Sequence, residues 1–190
     1  MRAAAASIAA LAAASLALQL AAAASELGLA RGLWLLLGFF TILTNAMVCA
    51  VMARTALAGR AAPSAIGFAA VQIAVVGLVY HVVLARMYNP TGLAWWADLG
   101  LHTLVPLATL LFWWRFGRGA LRPRHALLWL AWPLGFCLYA MVRGALTGWY
   151  PYFFLDPGVV GEAGVALWVA ALTALFYGLG RLVIRLRAAG

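Results

Sequence analysis

Six long apolar runs, near residues 4–24, 33–53, 64–85, 98–114, 126–142 and 163–180, alternate with short polar gaps along this chain. Each run approaches or exceeds the roughly 20 residues that a helix needs to cross a hydrocarbon core of about 30 Å. The pattern predicts an all-α fold, a polytopic transmembrane helical bundle of about six spans. No gap is long enough to bury a core of its own, so residues 1–190 read as a single integral membrane domain. No internal repeat with a period of 20–50 residues is visible.

Charge adds an orientation. All thirteen cationic residues are arginine. Ten lie at the two ends and in the gaps after the second and fourth runs; only Arg31, Arg86 and Arg143 fall in the alternate gaps. Short arginine-rich loops stay in the cytoplasm, which predicts cytoplasmic N- and C-termini. The four acids, Glu26, Asp98, Asp156 and Glu162, all fall on the other side. A chain that lacks lysine and is rich in alanine suggests a GC-rich bacterial genome, hence a bacterial inner membrane. The net charge of +9 belongs to arginines flanking spans, where they meet anionic headgroups. It does not form a basic face with interleaved aromatics, so membrane lipids are the expected partners and nucleic acid is not. Nothing in the pattern sets an oligomeric state.

Arg2, the alanine-rich first run and the small residues Ala21–Ser25 resemble a signal peptide. The apolar run is longer than a usual signal core, so a retained helix is expected; cleavage would leave five spans with the same orientation. Cys49 and Cys137 sit at depths differing by roughly 15 Å on their spans, which predicts free thiols.

Polar groups inside a bilayer are costly and mark function. The second span carries Thr41, Thr44 and Asn45, spaced so that all three share a face. Membrane threonines also bond their own helix carbonyls, and asparagine commonly joins helices. The third span carries Gln72, Tyr80 and His81; Gln72 points away from His81 and reads as a helix-joining amide, while Ala74 and Gly77 beside His81 admit a close neighbour. The fourth opens with Asp98 and His102, an (i, i+4) pair in which the carboxylate can orient the imidazole, or an interfacial pair satisfied by water. The fifth ends with Tyr139 and Arg143. An outer-half cluster of Thr41, Asn45, His81, Asp98, His102, Tyr139 and Arg143 follows if these helices are neighbours. Above it lies the stretch Arg143–Glu162, too aromatic for a solvated linker; it is expected to rest on the membrane surface or dip over the bundle as a lid.

A threonine hydroxyl is a poor nucleophile until a base takes its proton, and a neutral histidine within reach can do so and later protonate a leaving group. Asn45 or Arg143 could meet developing oxyanion charge. Thr41 with His102 is therefore a sufficient minimum for ester hydrolysis, reached sideways from lipid by an acyl-chain substrate. No second histidine pair, CxxCH or HExxH occurs, so no metal and no cofactor is expected. No inverted repeat with matched broken helices suggests a transporter. A non-catalytic membrane protein, binding a lipid or small molecule or serving as an assembly partner, remains the alternative.

Three segments carry a resemblance. Phe39-Phe40-Thr41-Ile42-Leu43-Thr44-Asn45 resembles the "FTxxSN" helix of the bacterial "Pr-six-Pr" integral membrane proteins, with Thr44 in place of serine. Leu101-His102-Thr103-Leu104-Val105-Pro106 resembles their "LHxxxP" helix, and residues 143–157, RGALTGWYPYFFLDP, their "RGxxTGWYPYxFLDP" loop. That family is similar to the androgen-induced-gene and androgen-dependent-regulator membrane proteins, threonine hydrolases of fatty acid esters of hydroxy fatty acids. The resemblance implies six helices, a nucleophile at Thr41 and a base at His102; the expected lid carries Trp149, Tyr150, Tyr152 and Asp156. The distant relatives lack the TGWYPY loop as it stands here.

Overall fold

The computed structural model describes residues 1–188. They fold as helices α1 (Arg2–Leu27), α2 (Leu29–Leu36), α3 (Phe40–Ala58), α4 (Pro63–Val79), α5 (Gly92–Leu99), α6 (Val105–Phe116), α7 (Arg124–Leu128), α8 (Ala131–Thr147) and α9 (Pro157–Ala188), with no strand among the described residues. Among the described residues, five helical stretches are long and apolar enough to cross a membrane: Arg2–Leu27, Phe40–Ala58, Pro63–Met87, Arg124–Thr147 and Pro157–Arg187. The stretch from α5 to α6 is also helical throughout, but it carries Asp98, His102 and Arg115 and is not one of the five. Large apolar side chains such as Leu57, Leu146 and Leu167 point outward, as lipid contact requires.

Helix α1 lies along α3 and touches α2 and α5, while α4 packs on α3, α6 and α9. The core of Val48, Met52, Ile66, Ile73 and Val105 is fully buried between them. Hydrocarbon is as apolar as these side chains, so close van der Waals fit, more than burial itself, holds such helices together. Small residues provide that fit. A Cβ on Gly67 would come within 2.8 Å of the Trp129 ring, and one on Gly77 within 3.2 Å of the His102 carbonyl. Gly77 thus admits a close neighbour, as its sequence position suggested. On Gly100 a Cβ would collide with the Ser15 side chain of α1. The Gln72 amide donates to the Trp129 carbonyl (3.0 Å) and joins α4 to α7. Both cysteines are free.

Three departures from the expected spans matter for the site. The run expected as one helix over 33–53 is broken: α2 ends at Leu36, Phe39 is extended (φ −98°, ψ 133°), and α3 begins at Phe40. Gly38 lies in the break because a Cβ there would meet the Arg143 guanidinium (2.5 Å) and the Trp149 ring (2.7 Å). Second, Arg143 is not in a loop, since α8 continues to Thr147. Third, two π-helical turns interrupt the bundle, at Tyr80–Leu84 after α4 and at Gly100–Leu104 between α5 and α6. Such turns are rare and concentrate at functional sites. The segment after α8 folds back onto the bundle, burying Phe154 and Leu155. Asp156 then accepts a hydrogen bond from the Gly158 amide at Oδ1 (2.8 Å), and Pro157 opens α9, the residue pair that best starts a helix.

Candidate active site

Because of the break at Leu37–Phe39, Thr41 stands in the first turn of α3. The first amides of any helix have no partner within it. Here the Phe40 amide donates to the Tyr152 hydroxyl (3.0 Å) and the Leu43 amide reaches the Phe39 carbonyl (3.3 Å). The Thr41 amide is turned to the same Tyr152 hydroxyl, and that of Ile42 meets no acceptor among the described residues. Thr41 therefore presents its hydroxyl beside the free Ile42 N–H at the positive end of a helix.

His102 reaches Thr41 from the π turn: Nε2 lies 3.3 Å from the Thr41 Oγ. Its Nδ1 lies 2.9 Å from Asp98 Oδ1, one turn earlier. A carboxylate only accepts hydrogen bonds, so Nδ1 carries the proton and Nε2 is left as the acceptor for the Thr41 hydroxyl. The Thr41 contact is long for a hydrogen bond to a hydroxyl. The second Asp98 oxygen accepts from the Tyr80 hydroxyl (2.6 Å). The Tyr80 ring also stacks on the imidazole, with centroids 3.8 Å apart and planes 10° apart. Tyr80 was named with Gln72 and His81 on its span but not placed in the expected cluster, yet it fixes both the carboxylate and the ring. The available signal was a polar hydroxyl beside His81 within an apolar run.

Asn45 has a different task from meeting an oxyanion. Its fully buried amide donates to the Thr41 carbonyl (2.9 Å) and to the Leu101 carbonyl (3.2 Å). In a π turn the amide five residues on would bond the Leu101 carbonyl, but that residue is Pro106, which has no N–H. The proline thus frees the carbonyl that Asn45 takes, and one side chain links the helix of Thr41 to the turn of His102. Asn45→Leu should destabilise the protein by about 2 kcal/mol, since the buried Leu101 carbonyl loses its donor and the two elements lose their link; thermal unfolding in detergent measures it. Tyr80→Phe should instead nearly spare the fold, because the ring keeps its stack on His102 and a single hydrogen bond is lost; thermal unfolding of the same preparations checks it.

Thr41, Asp98, His102 and Tyr80 line a cavity of about 450 Å³, within the range of small-ligand sites. Pro151, Tyr152 and Phe153 of the returning segment close one side, and Gln19 and Glu26 of α1 stand on another. Burial raises the Tyr152 phenol above its ordinary range, opposed in part by hydrogen bonding with Thr41 and with the Phe40 backbone. Neither Gln19 nor Glu26 was expected here; a lone polar residue near a helix end carries no sign of its direction.

The remaining expected residues are not gathered at Thr41. His81 is exposed and meets the Thr103 hydroxyl (3.1 Å). Arg143 is buried between the Trp34 and Trp149 rings, 4.3 and 5.0 Å from their centroids. It donates to the Trp34 carbonyl (2.7 Å) and to the Tyr139 hydroxyl (3.2 Å), and Tyr139 donates to the Leu37 carbonyl (3.3 Å). These two residues tie α8 to the end of α2 and do not line the cavity. Trp149 packs edge-on against Phe39, Tyr150 fills the space that the missing Gly144 side chain leaves, and Asp156 caps α9. Of the expected lid residues, Tyr152 alone enters the cavity. No group of three metal-ligating side chains occurs among the described residues.

Comparison with protein-family models, with characterised proteins and with solved structures gave no match to this chain.

Proposed function

We propose that this chain is an intramembrane lipid-ester hydrolase with Thr41 as nucleophile and His102 as general base, and that it belongs with the bacterial six-helix proteins whose motifs it resembles. The observation that carries the reading is the hydrogen-bonded line Thr41–His102–Asp98, with Tyr80 behind it, on the wall of a cavity large enough for a ligand. A hydroxyl, an imidazole in the accepting tautomer and an orienting carboxylate are the parts that acyl transfer needs.

In the proposed reaction His102 Nε2 takes the Thr41 proton as Oγ attacks the ester carbonyl carbon. The resulting oxyanion is met by the free Ile42 amide, a fixed donor in a water-poor site. The protonated imidazole then gives its proton to the alcohol oxygen, the C–O bond breaks, and acyl-Thr41 remains. Water, deprotonated by His102, attacks this ester and releases the fatty acid with Thr41 restored.

We place the protein in a bacterial inner membrane with six spans, both termini cytoplasmic and the site near the opposite face. The alternation of arginine-rich gaps supports this, and we take the helical stretch from Gly92 to Phe116 as the sixth span. Substrate would enter from lipid, and acyl esters of hydroxy fatty acids or similar lipid alcohols are the class. Purified protein in detergent should release free fatty acid from such an ester, measured by mass spectrometry. No release above the uncatalysed rate across anionic and neutral esters would leave a lipid-binding or assembly role, with Thr41 and His102 merely joining helices.

A further inference from the structure

Two cavities meet at Thr41. Beyond the wide one lies an apolar slot of about 80 Å³ between α4, α8 and α9. Thr41, Tyr80, Leu84 and Tyr152 line both, but His102 and Asp98 line only the wide one. The slot is walled by side chains such as Val76, Cys137, Leu172 and Phe176, and the hydroxyl of Thr173 within it is already committed to the Val169 carbonyl (2.7 Å). The wide cavity has two carboxyl groups, Asp98 and Glu26, and no arginine among its lining residues. Tyr88, at the same cavity, registers the resulting field: burial first, then the charges of Asp98 and Glu26, hold its phenol above the ordinary range.

We propose that the slot receives the acyl chain, that the alcohol portion of the ester occupies the wide cavity, and that this alcohol carries no anionic group. The assignment rests on the hydrolase reading and deepens it. His102 must hand its proton to the departing alkoxide oxygen, so the alcohol lies on the side of the carbonyl where His102 stands. The acyl chain then extends the other way, into the slot. A carboxylate on the alcohol would enter a cavity with like charges and no cation to pair with, an arrangement that rejects it. The preferred substrate is therefore a neutral or cationic lipid ester, not the free-acid ester of a hydroxy fatty acid.

The test compares one fatty acyl ester of a hydroxy fatty acid as the free acid and as its methyl ester, with purified full-length protein in detergent. The expected kcat/KM is at least about tenfold higher for the capped ester, and Glu26→Gln should narrow that ratio. Leu172→Trp should shorten the longest acyl chain accepted and leave the alcohol preference in place; Cys137→Trp, from α8 across the slot, gives a second reading should the first variant fold poorly. Equal or faster hydrolysis of the free acid would overturn the charge assignment, and a slot variant that altered alcohol preference but not acyl length would overturn the subsite assignment. In both cases the hydrolase reading would survive if Thr41→Val remained inactive. Hydrolysis of neither ester would overturn the hydrolase reading and the assignment together.

Discussion

Thr41→Val will lower ester hydrolysis by about 10³-fold or more while the protein unfolds at nearly the wild-type temperature. The size follows from removing the only atom that can attack, since losing a nucleophile forfeits nearly all of the triad-type contribution. The small stability effect follows from shape. Valine replaces hydroxyl by methyl at similar volume, and the hydroxyl lost makes a long hydrogen bond to His102 and one with the Tyr152 hydroxyl, contacts worth about 1–2 kcal/mol together. The α3 start does not depend on it: the Phe40 amide is held by Tyr152, and the Thr41 carbonyl by Asn45. His102→Ala should match Thr41→Val in turnover, and the double variant should be no worse than either alone, because the two act as one unit. Fatty acid release and thermal unfolding on the same preparations check both parts. An inactive Thr41→Val that is also strongly destabilised would place the hydroxyl in the scaffold instead.

Arg143→Met should show the reverse pattern, losing stability by roughly 3 kcal/mol and lowering Tm by roughly 6–12 °C for a domain of this size. The guanidinium is sandwiched by Trp34 and Trp149 and donates to the Trp34 carbonyl. Methionine fills part of the space but leaves that carbonyl and the Tyr139 hydroxyl without their donor. Arg143→Lys should recover little of the loss, because an ammonium cannot lie flat between two rings while reaching both oxygens. Turnover per folded molecule should fall far less than in Thr41→Val. An Arg143→Met protein of normal Tm and no activity would move this residue into the chemistry, as an oxyanion donor.

Arg143 also shows where the sequence stopped being informative. Position along an apolar run gives depth, and depth put Arg143, Tyr139 and His81 near Thr41. It does not give the direction in which a helix faces, and packing turned all three elsewhere. Thr41 and His102 were legible because a hydroxyl and an imidazole in apolar surroundings are costly, and Asp98 because four residues is one turn. The break at Leu37–Phe39 was hidden, since both of its flanks are apolar and Gly38 alone marks it. That break matters most for the proposed chemistry: it moves Thr41 from mid-helix to a first turn, beside the free Ile42 amide. Pro106 was visible, but its consequence for Leu101 and Asn45 depends on a π turn that no periodicity announces. Tyr80 reads as an ordinary membrane aromatic until its stack on His102 is seen.

The most direct measurement is the site of covalent capture. Purified protein treated with a fluorophosphonate, which phosphonylates hydroxyl groups activated by a neighbouring base, should acquire one adduct, mapped by peptide mass spectrometry to Thr41. His102→Ala, which keeps the hydroxyl and removes its base, should lose the adduct. An adduct on any other residue, or labelling unchanged by the loss of His102, would contradict the threonine–histidine account.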